Sequence, residues 1–233
     1  GIMSVLDLKR RADVTSKDSL SNRLRSRRFS MFASLAESLP KPVRIVDVGG
    51  TVEFWRQREW IGRDGVEITL VNLEADPSPP AGICSVVGDA TRLDHLADKS
   101  FDIAFSNSVI EHLFTFENQM AMAREVRRVA RAYWVQTPNY WFPMEPHFHV
   151  PGWQWMPVAV RVAMLRRRQC GWRGPCPDRE QAEQLVREVR LMTRGEMGRC
   201  FPDATIWAER IGGLVKSWVA YGGFQGPVSA ANS

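Results

Sequence analysis

The sequence has no long apolar run, no internal repeat and no paired cysteine pattern. No apolar stretch approaches the roughly 20 residues that a membrane-spanning helix needs. The N-terminal sequence GIMSVLDLKRRADV lacks the apolar core and cleavage site of a secretory signal peptide. These absences argue against a membrane-spanning or repeat protein, and we expect a cytoplasmic one.

Cysteine is scarce, and its spacing does not predict a metal site. The chain has four cysteines, and Cys170 and Cys176 are separated by five residues with no second close pair. We therefore expect free thiols, with a zinc site or a disulfide as the alternatives.

Positive charge exceeds negative charge by five and is concentrated in two places. Residues 9–28 contain eight lysines and arginines against two aspartates, and the run RVAMLRRR ends at Arg168. Such clusters attract phosphate, nucleic acid or anionic lipid, whereas the simpler interpretation of each is a solvated helix face.

Short β-rich runs alternate with helical segments over the first 140 residues. Helices are predicted over residues 16–40, with Ser16 as N-cap, over 52–62, within 91–100 and over 109–130. The predicted strands are RIVDVGG (44–50), VEITLVNLEAD (66–76), ICSVVGDA (83–90), FDIAFSNS (101–108) and AYWVQTPN (132–139). This order predicts a Rossmann-like α/β fold, with helices on both faces of a mostly parallel sheet.

The pattern changes after residue 138. YWFPMEPHFHVPGWQWMP is rich in aromatic residues and proline, and helices are predicted near 157–168, 178–192 and 193–202. Strand-like runs over 204–212 and 213–223 predict a terminal antiparallel hairpin, which gives a seven-stranded sheet. We thus expect a basic helical segment (1–40), one domain (41–223) with a helical and aromatic insertion near 139–192, and a disordered tail (224–233).

Each predicted parallel strand ends in small or polar residues. The strand ends are DVGG, NLEAD, GDA, SNS and TPN. In an open parallel sheet these carboxyl ends meet at one edge, where ligands bind. The sequence therefore predicts a ligand site along this rim.

In these segments the chain resembles the class I S-adenosylmethionine-dependent methyltransferases of the small methyltransferase-domain group. The resemblance rests on VRIVDVGGT, ITLVNLEAD, VVGDATRLDHLADKSFDIAFSNSVIEHL and YWVQTPN, and covers roughly residues 40–140. Asp47 and Gly49 match the acidic residue and first glycine of the family's first loop, whereas Thr51 and Glu53 depart from its alternating glycines. A pyrophosphate needs glycine for close backbone approach, so the departure argues against a dinucleotide.

The resemblance implies S-adenosyl-L-methionine as cofactor and assigns roles along the rim. It places the methionine end of the cofactor at the first loop and at SNS, the ribose hydroxyls at Asn72 or Glu74, and the adenine at GDA. The implied cofactor-binding residues are Asp47, Gly49, Gly50, Asn72, Glu74, Asp89, Ala90, Ser106 and Asn107. The alternative for any one of them is a strand cap.

Two histidines in EPHFH are candidates for acid–base chemistry. An acceptor hydroxyl must lose a proton on methylation, and histidine has a suitable pKa range. His147 and His149 are the candidate bases, with Glu145 able to orient one of them, and alternating spacing would point only one inward. The alternative is surface or packing histidines. A metal site from these three residues has no further evident ligand, and none is predicted. His112 in VIEHL is as consistent with shaping the pocket as with catalysis.

The sequence therefore favours a methyltransferase that acts on a small or medium-sized metabolite. O-methylation of a sugar, glycolipid or secondary-metabolite hydroxyl is our prediction, and N-methylation stays open. The alternatives are an RNA-binding or RNA-methylating protein that uses the basic N-terminal helix, a cofactor-binding protein without catalysis, and a nicotinamide-dependent oxidoreductase. No RNA-binding module is recognisable, so we expect no nucleic-acid partner. WQWMPVAVRVAMLRRR leaves peripheral membrane contact open.

Overall fold

A seven-stranded sheet forms the centre of the protein. The computed structural model describes residues 20–224, and the strand order is β3-β2-β1-β4-β5-β7-β6. The strands are β1 (Val43–Val48), β2 (Val66–Asn72), β3 (Ile83–Val87), β4 (Phe101–Asn107), β5 (Ala130–Pro138), β6 (Thr205–Ile211) and β7 (Leu214–Gly222). Strands β1 to β5 pair in parallel, and β7 is antiparallel to both β5 and β6. The predicted fold class and terminal hairpin are confirmed.

Six α-helices accompany the sheet in the described part of the chain. They are α1 (Leu20–Glu37), α2 (Val52–Gln57), α3 (Phe116–Val129), α4 (Val158–Arg167), α5 (Arg179–Glu188) and α6 (Arg194–Cys200). Short 3₁₀ helices form at Ile110–His112 and Trp153–Trp155. Within residues 20–224 no helix is both long and apolar enough to cross a bilayer.

Two predicted helices are wrong in detail. Residues 91–100 form turns rather than a helix, because Asp89 accepts hydrogen bonds from the Thr91 amide and hydroxyl while the Leu93 amide donates to Glu125. The predicted helix 109–130 is split, because Phe114 takes a positive φ and Thr115 then caps α3 afresh. Ser16, the predicted cap of the first helix, lies outside the described residues.

The two faces of the sheet are covered by different kinds of side chain. One face packs against aliphatic residues of α3 and α6, such as Met122, Val126 and Met197. The other packs against α1 and α2 through aromatic rings, which are those of Phe29, Phe32, Phe54, Trp55, Trp60, Phe105 and Trp134. A third cluster, with Phe148, Trp153 and Leu165 at its centre, joins α4 to α5 in the predicted insertion.

Helix α1 is part of the aromatic core. Phe32 is fully buried, and its ring centroid lies 4.7 Å from that of Phe105 in β4 and 5.7 Å from that of Trp134 in β5. The helix is thereby held against the carboxyl-end half of the sheet, beside the predicted ligand rim.

We predict that Phe32→Ala lowers the free energy of unfolding by about 3–5 kcal/mol, the usual cost of removing a buried phenylalanine. For a chain of this size that corresponds to a fall in Tm of roughly 6–20 °C by circular dichroism. Leu20→Ala on the same helix is the control, because Leu20 is 56% exposed. Equal Tm values for the two variants would show that α1 does not belong to the cooperative core.

Candidate active site

The loop after β1 is built around a buried carboxylate. Asp47 is 1% exposed, and its Oδ2 accepts a hydrogen bond of 2.8 Å from the indole Nε1 of the fully buried Trp55. A side chain at Gly50 would overlap the Asp47 carboxylate, and one at Gly49, which has φ +77°, would lie 2.7 Å from a methyl group of Val109. Both glycines are therefore required by close packing.

The departures from the family's glycine pattern have a local explanation. Thr51 is the N-cap of α2, and its hydroxyl accepts a hydrogen bond from the Phe54 amide. Glu53 lies in the first turn, where its negative charge suits the helix dipole, and it pairs with Arg56 at 2.8 Å. Helix α2 thus starts at once, without further glycine.

The end of β2 holds the same loop from the other side. The Asn72 side-chain amide donates to the Gly50 carbonyl at 2.9 Å. The backbone carbonyl of Asn72 accepts a hydrogen bond from the Gly88 amide, which connects the end of β2 to the turn after β3. Glu74 is exposed two residues further on. The Asn72 side-chain amide is therefore engaged in shaping the loop, whereas the Glu74 side chain is exposed to solvent.

The turn after β3 presents an exposed carboxylate. One oxygen of Asp89 accepts from the Thr91 amide and hydroxyl, which fixes the turn. Asp89 is exposed and Ala90 is partly buried. Both residues lie on the rim beyond β3, next to the end of β2.

The end of β4 divides its polar residues between the interior and the rim. Ser106 is fully buried and donates to the Val48 carbonyl at 3.1 Å, so its hydroxyl stabilises the sheet. Asn107 is partly exposed, and so is Ser108, whose hydroxyl donates to Gln136. Ser108 was not predicted as a site residue, although its position directly after SN could have indicated it.

A cavity of about 100 Å³, here called the loop cavity, opens between the first loop and α1. On the sheet side it is lined by Asp47, Gly50, Thr51, Asn107 and Ser108. Helix α1 contributes Arg25 and Arg28, α2 contributes Phe54, and Arg58 follows α2 as its C-cap. The loop cavity is therefore lined by residues of both charges.

Arg28 ties α1 across the loop cavity to the far edge of the sheet. Its guanidinium donates to both carboxylate oxygens of Glu209 at 3.1 and 3.3 Å, and Glu209, in β6, is 1% exposed. The sequence indicated only a basic cluster here. The pairing was not predictable because Glu209 lies 181 residues away.

A second set of polar residues lies where the insertion meets the sheet. This histidine–glutamate cluster consists of Glu111, His112, Glu145, His147 and Glu188. The His147 Nδ1 lies 2.6 Å from Glu145 Oε1, and the rings of His112 and His147 are perpendicular with centroids 4.7 Å apart. Thr137 at the end of β5 donates to Glu111 Oε2 at 2.9 Å. Glu145 therefore does orient one histidine of EPHFH.

Burial and charge act in opposite directions in this cluster. Burial lowers the pKa of His112, with the nearby His147 adding to the effect. Burial also disfavours the charged form of His147, but the Glu145 carboxylate outweighs it and, with Glu111, raises the pKa of His147. Conversely, His147 holds the pKa of Glu145 below its usual value against the effect of burial. The two histidines thus differ in proton affinity.

His149 lies apart from the cluster. It is exposed, takes a positive φ of 51° and packs edge-on against Trp172 with ring centroids 5.8 Å apart. The predicted pair of candidate bases is thereby separated, with His147 inside and His149 outside.

Comparisons with known proteins agree with this geometry. Residues 57–132 match the family model described as "Methyltransferase domain". A methyltransferase from Mesorhizobium loti, described as S-adenosylmethionine-dependent, superposes with a TM-score of 0.50 at 18% identity, over 82% of this chain and 95% of that one. Residues 57–132 therefore match a methyltransferase domain, and the chain has the fold of an S-adenosylmethionine-dependent methyltransferase.

Two curated relatives from Mycobacterium tuberculosis strains are similar over a shorter stretch. Both are described as uncharacterised, and each is 36% identical over 73 residues, which is 31% of this chain and 25% of the relative. The match therefore spans about a quarter of the length of these relatives.

We predict that Gly50→Ala destabilises the methyltransferase domain by about 1–3 kcal/mol, because the added methyl group must displace the Asp47 carboxylate from Trp55. Gly213→Ala is the matched control, since a Cβ at Gly213 meets no atom within 4 Å. Denaturant unfolding followed by tryptophan fluorescence measures both variants. If Gly50→Ala unfolds at the same denaturant concentration as Gly213→Ala, the packing requirement at the first loop is refuted.

Proposed function

We propose that this chain methylates a hydroxyl group of a small or medium-sized metabolite, such as a sugar, glycolipid or secondary metabolite. The observation that carries the proposal is His147, which is partly buried beside the end of β5 and braced by Glu145 at 2.6 Å. A histidine held in this way at the ligand rim suits an acceptor whose proton must be removed.

The loop cavity fits the methionine end of S-adenosylmethionine. That end carries an amino group and a carboxylate, and the cavity is lined by the acidic residue Asp47 and by the basic residues Arg25 and Arg28. Gly49 and Gly50 keep the first loop close to the sheet, and Asn107 and Ser108 line the cavity beside it. When bound, the cofactor supplies a methyl group already activated on a sulfonium.

The rim beyond the loop cavity fits the adenosine end. Glu74 is the free carboxylate after β2 and is our candidate for the ribose hydroxyls, because the Asn72 amide is engaged with Gly50. Asp89 and Ala90 are the candidates for the adenine, where an exposed carboxylate can accept from an exocyclic amine.

On the acceptor side, His147 is the residue that we propose to activate the hydroxyl. Glu145 fixes its ring through Nδ1 and, with Glu111, raises the pKa of His147, which makes the neutral imidazole a stronger base toward the acceptor proton. The remaining requirement is to align the methyl donor with the acceptor. His149, exposed and outside the cluster, has no part in this proposal.

The basic helix does not favour the alternative of RNA binding. Arg25 and Arg28 of α1 line the loop cavity, and Arg28 is paired with Glu209. Arg25 and Arg28 therefore line a cavity within the domain and do not form an exposed surface for RNA phosphates.

We predict that S-adenosylhomocysteine binds the protein and NAD does not, as measured by isothermal titration calorimetry. Asp89→Ala should weaken this binding about ten-fold or more, because it removes a charged hydrogen-bond acceptor. Asp94→Ala is the control: Asp94 is an exposed carboxylate of the same turn region, paired with Arg92. Absence of S-adenosylhomocysteine binding in the wild-type protein would overturn the proposed function.

We predict that His147→Gln reduces methyl transfer by about 10²- to 10⁴-fold, the usual contribution of a positioned acid–base group. Transfer is measured with radiolabelled S-adenosylmethionine on a panel of glycosides, phenols and amines. S-adenosylhomocysteine affinity should be unchanged, and His149→Gln should keep full activity. A panel in which only amines are methylated would contradict the assignment of a hydroxyl acceptor.

A further inference from the structure

Three metal-ligand groups converge inside the histidine–glutamate cluster. One donor atom each of Glu111, His112 and His147 lies within 4.8 Å of the other two. The His147 Nε2 and Glu111 Oε1 are 3.8 Å apart, which is too far for a hydrogen bond. Donors that bind one transition-metal ion lie roughly 3 Å from each other when the bonds are about 2.1 Å long, so movements of about 1 Å would close the set around an ion.

The cluster contains a buried polar atom that lacks a hydrogen bond. Among the residues that the structure describes, Glu111 Oε1 has no hydrogen-bond partner although Glu111 is fully buried, whereas His112 Nδ1 faces Glu188 Oε1 at 3.4 Å. Leaving a carboxylate oxygen unsatisfied in the interior costs free energy. A cation bonded to Glu111 Oε1 would remove that cost.

Outer groups already hold two of the three ligands in orientation. Glu145 Oε1 engages the Nδ1 of His147, which leaves Nε2 as the nitrogen that faces Glu111. Glu145 Oε2 is itself fixed by the backbone amides of His147 and Phe148 at 2.7 and 2.6 Å. The second oxygen of Glu111 accepts from Thr137. A carboxylate behind a ligating histidine is the usual arrangement of outer groups around a protein-bound metal.

The charge balance of the cluster also calls for a cation. Glu111, Glu145 and Glu188 contribute three carboxylates, and Arg173, 3.2 Å from Glu188, contributes one guanidinium. Arg28, whose charge interacts with Glu111, is already paired with Glu209. In the metal-bound state, in which the ligating histidines are neutral, these side chains carry a charge of −2, which one divalent ion neutralises.

We propose that Glu111, His112 and His147 bind one divalent transition-metal ion, with Zn²⁺ as the best match to two imidazoles and one carboxylate. Mg²⁺ and Ca²⁺ prefer all-oxygen sites and fit less well. The metal role rests on the proposed function: at an open coordination position the ion would bind the acceptor hydroxyl and lower its pKa, so that the proton leaves to water. In that state His147 acts through the ion, as its ligand.

The test uses the full chain, stripped of metal with a chelator and then titrated with Zn²⁺ against a chromophoric competitor. We expect one equivalent to bind, and Glu111→Gln and His147→Gln each to weaken binding by more than about 100-fold, since loss of a ligand should exceed the 10- to 100-fold effect of an outer group. Glu145→Gln should weaken it by about 10- to 100-fold. His149→Gln, two residues from His147 and outside the cluster, should bind as the wild type does.

Co²⁺ spectra separate this site from the thiols. Cys84 is exposed and could bind metal by itself, so the titration is repeated on Cys84→Ser. Binding to the cluster gives cobalt d–d bands without a thiolate charge-transfer band. Circular dichroism of each variant shows that it is folded, and Glu145→Gln keeps all three ligands should another variant unfold.

The proposal is overturned if wild-type protein binds Zn²⁺ no more tightly than Glu111→Gln, or if Co²⁺ binding requires Cys84. Titrations are made without cofactor, and S-adenosylhomocysteine binding is measured separately. S-adenosylhomocysteine binding without Zn²⁺ binding would reject the metal site alone. Zn²⁺ binding without S-adenosylhomocysteine binding would reject the proposed function and keep the site.

Discussion

The hydrogen bond between the Trp55 indole and the Asp47 carboxylate is the constraint on which the cofactor half of the protein depends. It holds a carboxylate at the carboxyl end of β1, inside the domain, with the Trp55 indole donating at 2.8 Å. Because the carboxylate occupies the space above Gly50, that position accepts no side chain. Trp55 also packs on Phe32 and Phe105, so the same ring joins the loop to α1 and to β4. The conformation of the first loop and the packing of the aromatic core therefore depend on the same side chain, Trp55.

This arrangement explains how a loop with few glycines can serve a cofactor site. Glycines beyond Gly50 are needed when a backbone must approach a pyrophosphate closely. S-adenosylmethionine has no phosphate, and here Thr51 and Glu53 use the same positions to start α2. Helix α2 then carries Trp55 back to Asp47. Thr51 and Glu53, which depart from the family pattern, therefore start the helix whose Trp55 provides the buried Asp47 carboxylate with a hydrogen bond.

The fold could be predicted from the sequence because each strand carries its own local signal. β-branched residues followed by glycine or a polar residue mark β1 to β4, and the glycine pair 212–213 marks the terminal hairpin. Prediction from local sequence was wrong where hydrogen bonds between distant residues determine the backbone conformation. The segment 91–100 looks helical, but the Leu93 amide is bound by Glu125, 32 residues away.

The candidate site could be predicted to the extent that it lies on strand ends. That rule places Asn107 and Asp89 on the rim, where their roles in binding stay predictions, and Glu145 contacts a neighbouring histidine as expected. Ser106 illustrates the limit, since alternation along a strand does not reveal which of two adjacent polar residues faces the interior. The inward-facing Arg28 and the meeting of His112 with His147 arise from contacts between distant segments. A single sequence gives no signal for such contacts.

Burying the charged groups of the histidine–glutamate cluster costs free energy, and the fold does not need charged groups at this position. An apolar junction between the insertion and the sheet would bury no charge, and replacing buried ion pairs by apolar residues is often neutral or stabilising. Here three carboxylates and two imidazoles meet at the end of β5, against the segment that would face the acceptor. Either protons or a cation must balance this charge, and a cation would also favour ionisation of the hydroxyl in the proposed reaction. Because the insertion supplies Glu145, His147 and Glu188 while the sheet supplies the loop cavity, acceptor chemistry can be changed in one segment without disturbing the cofactor half.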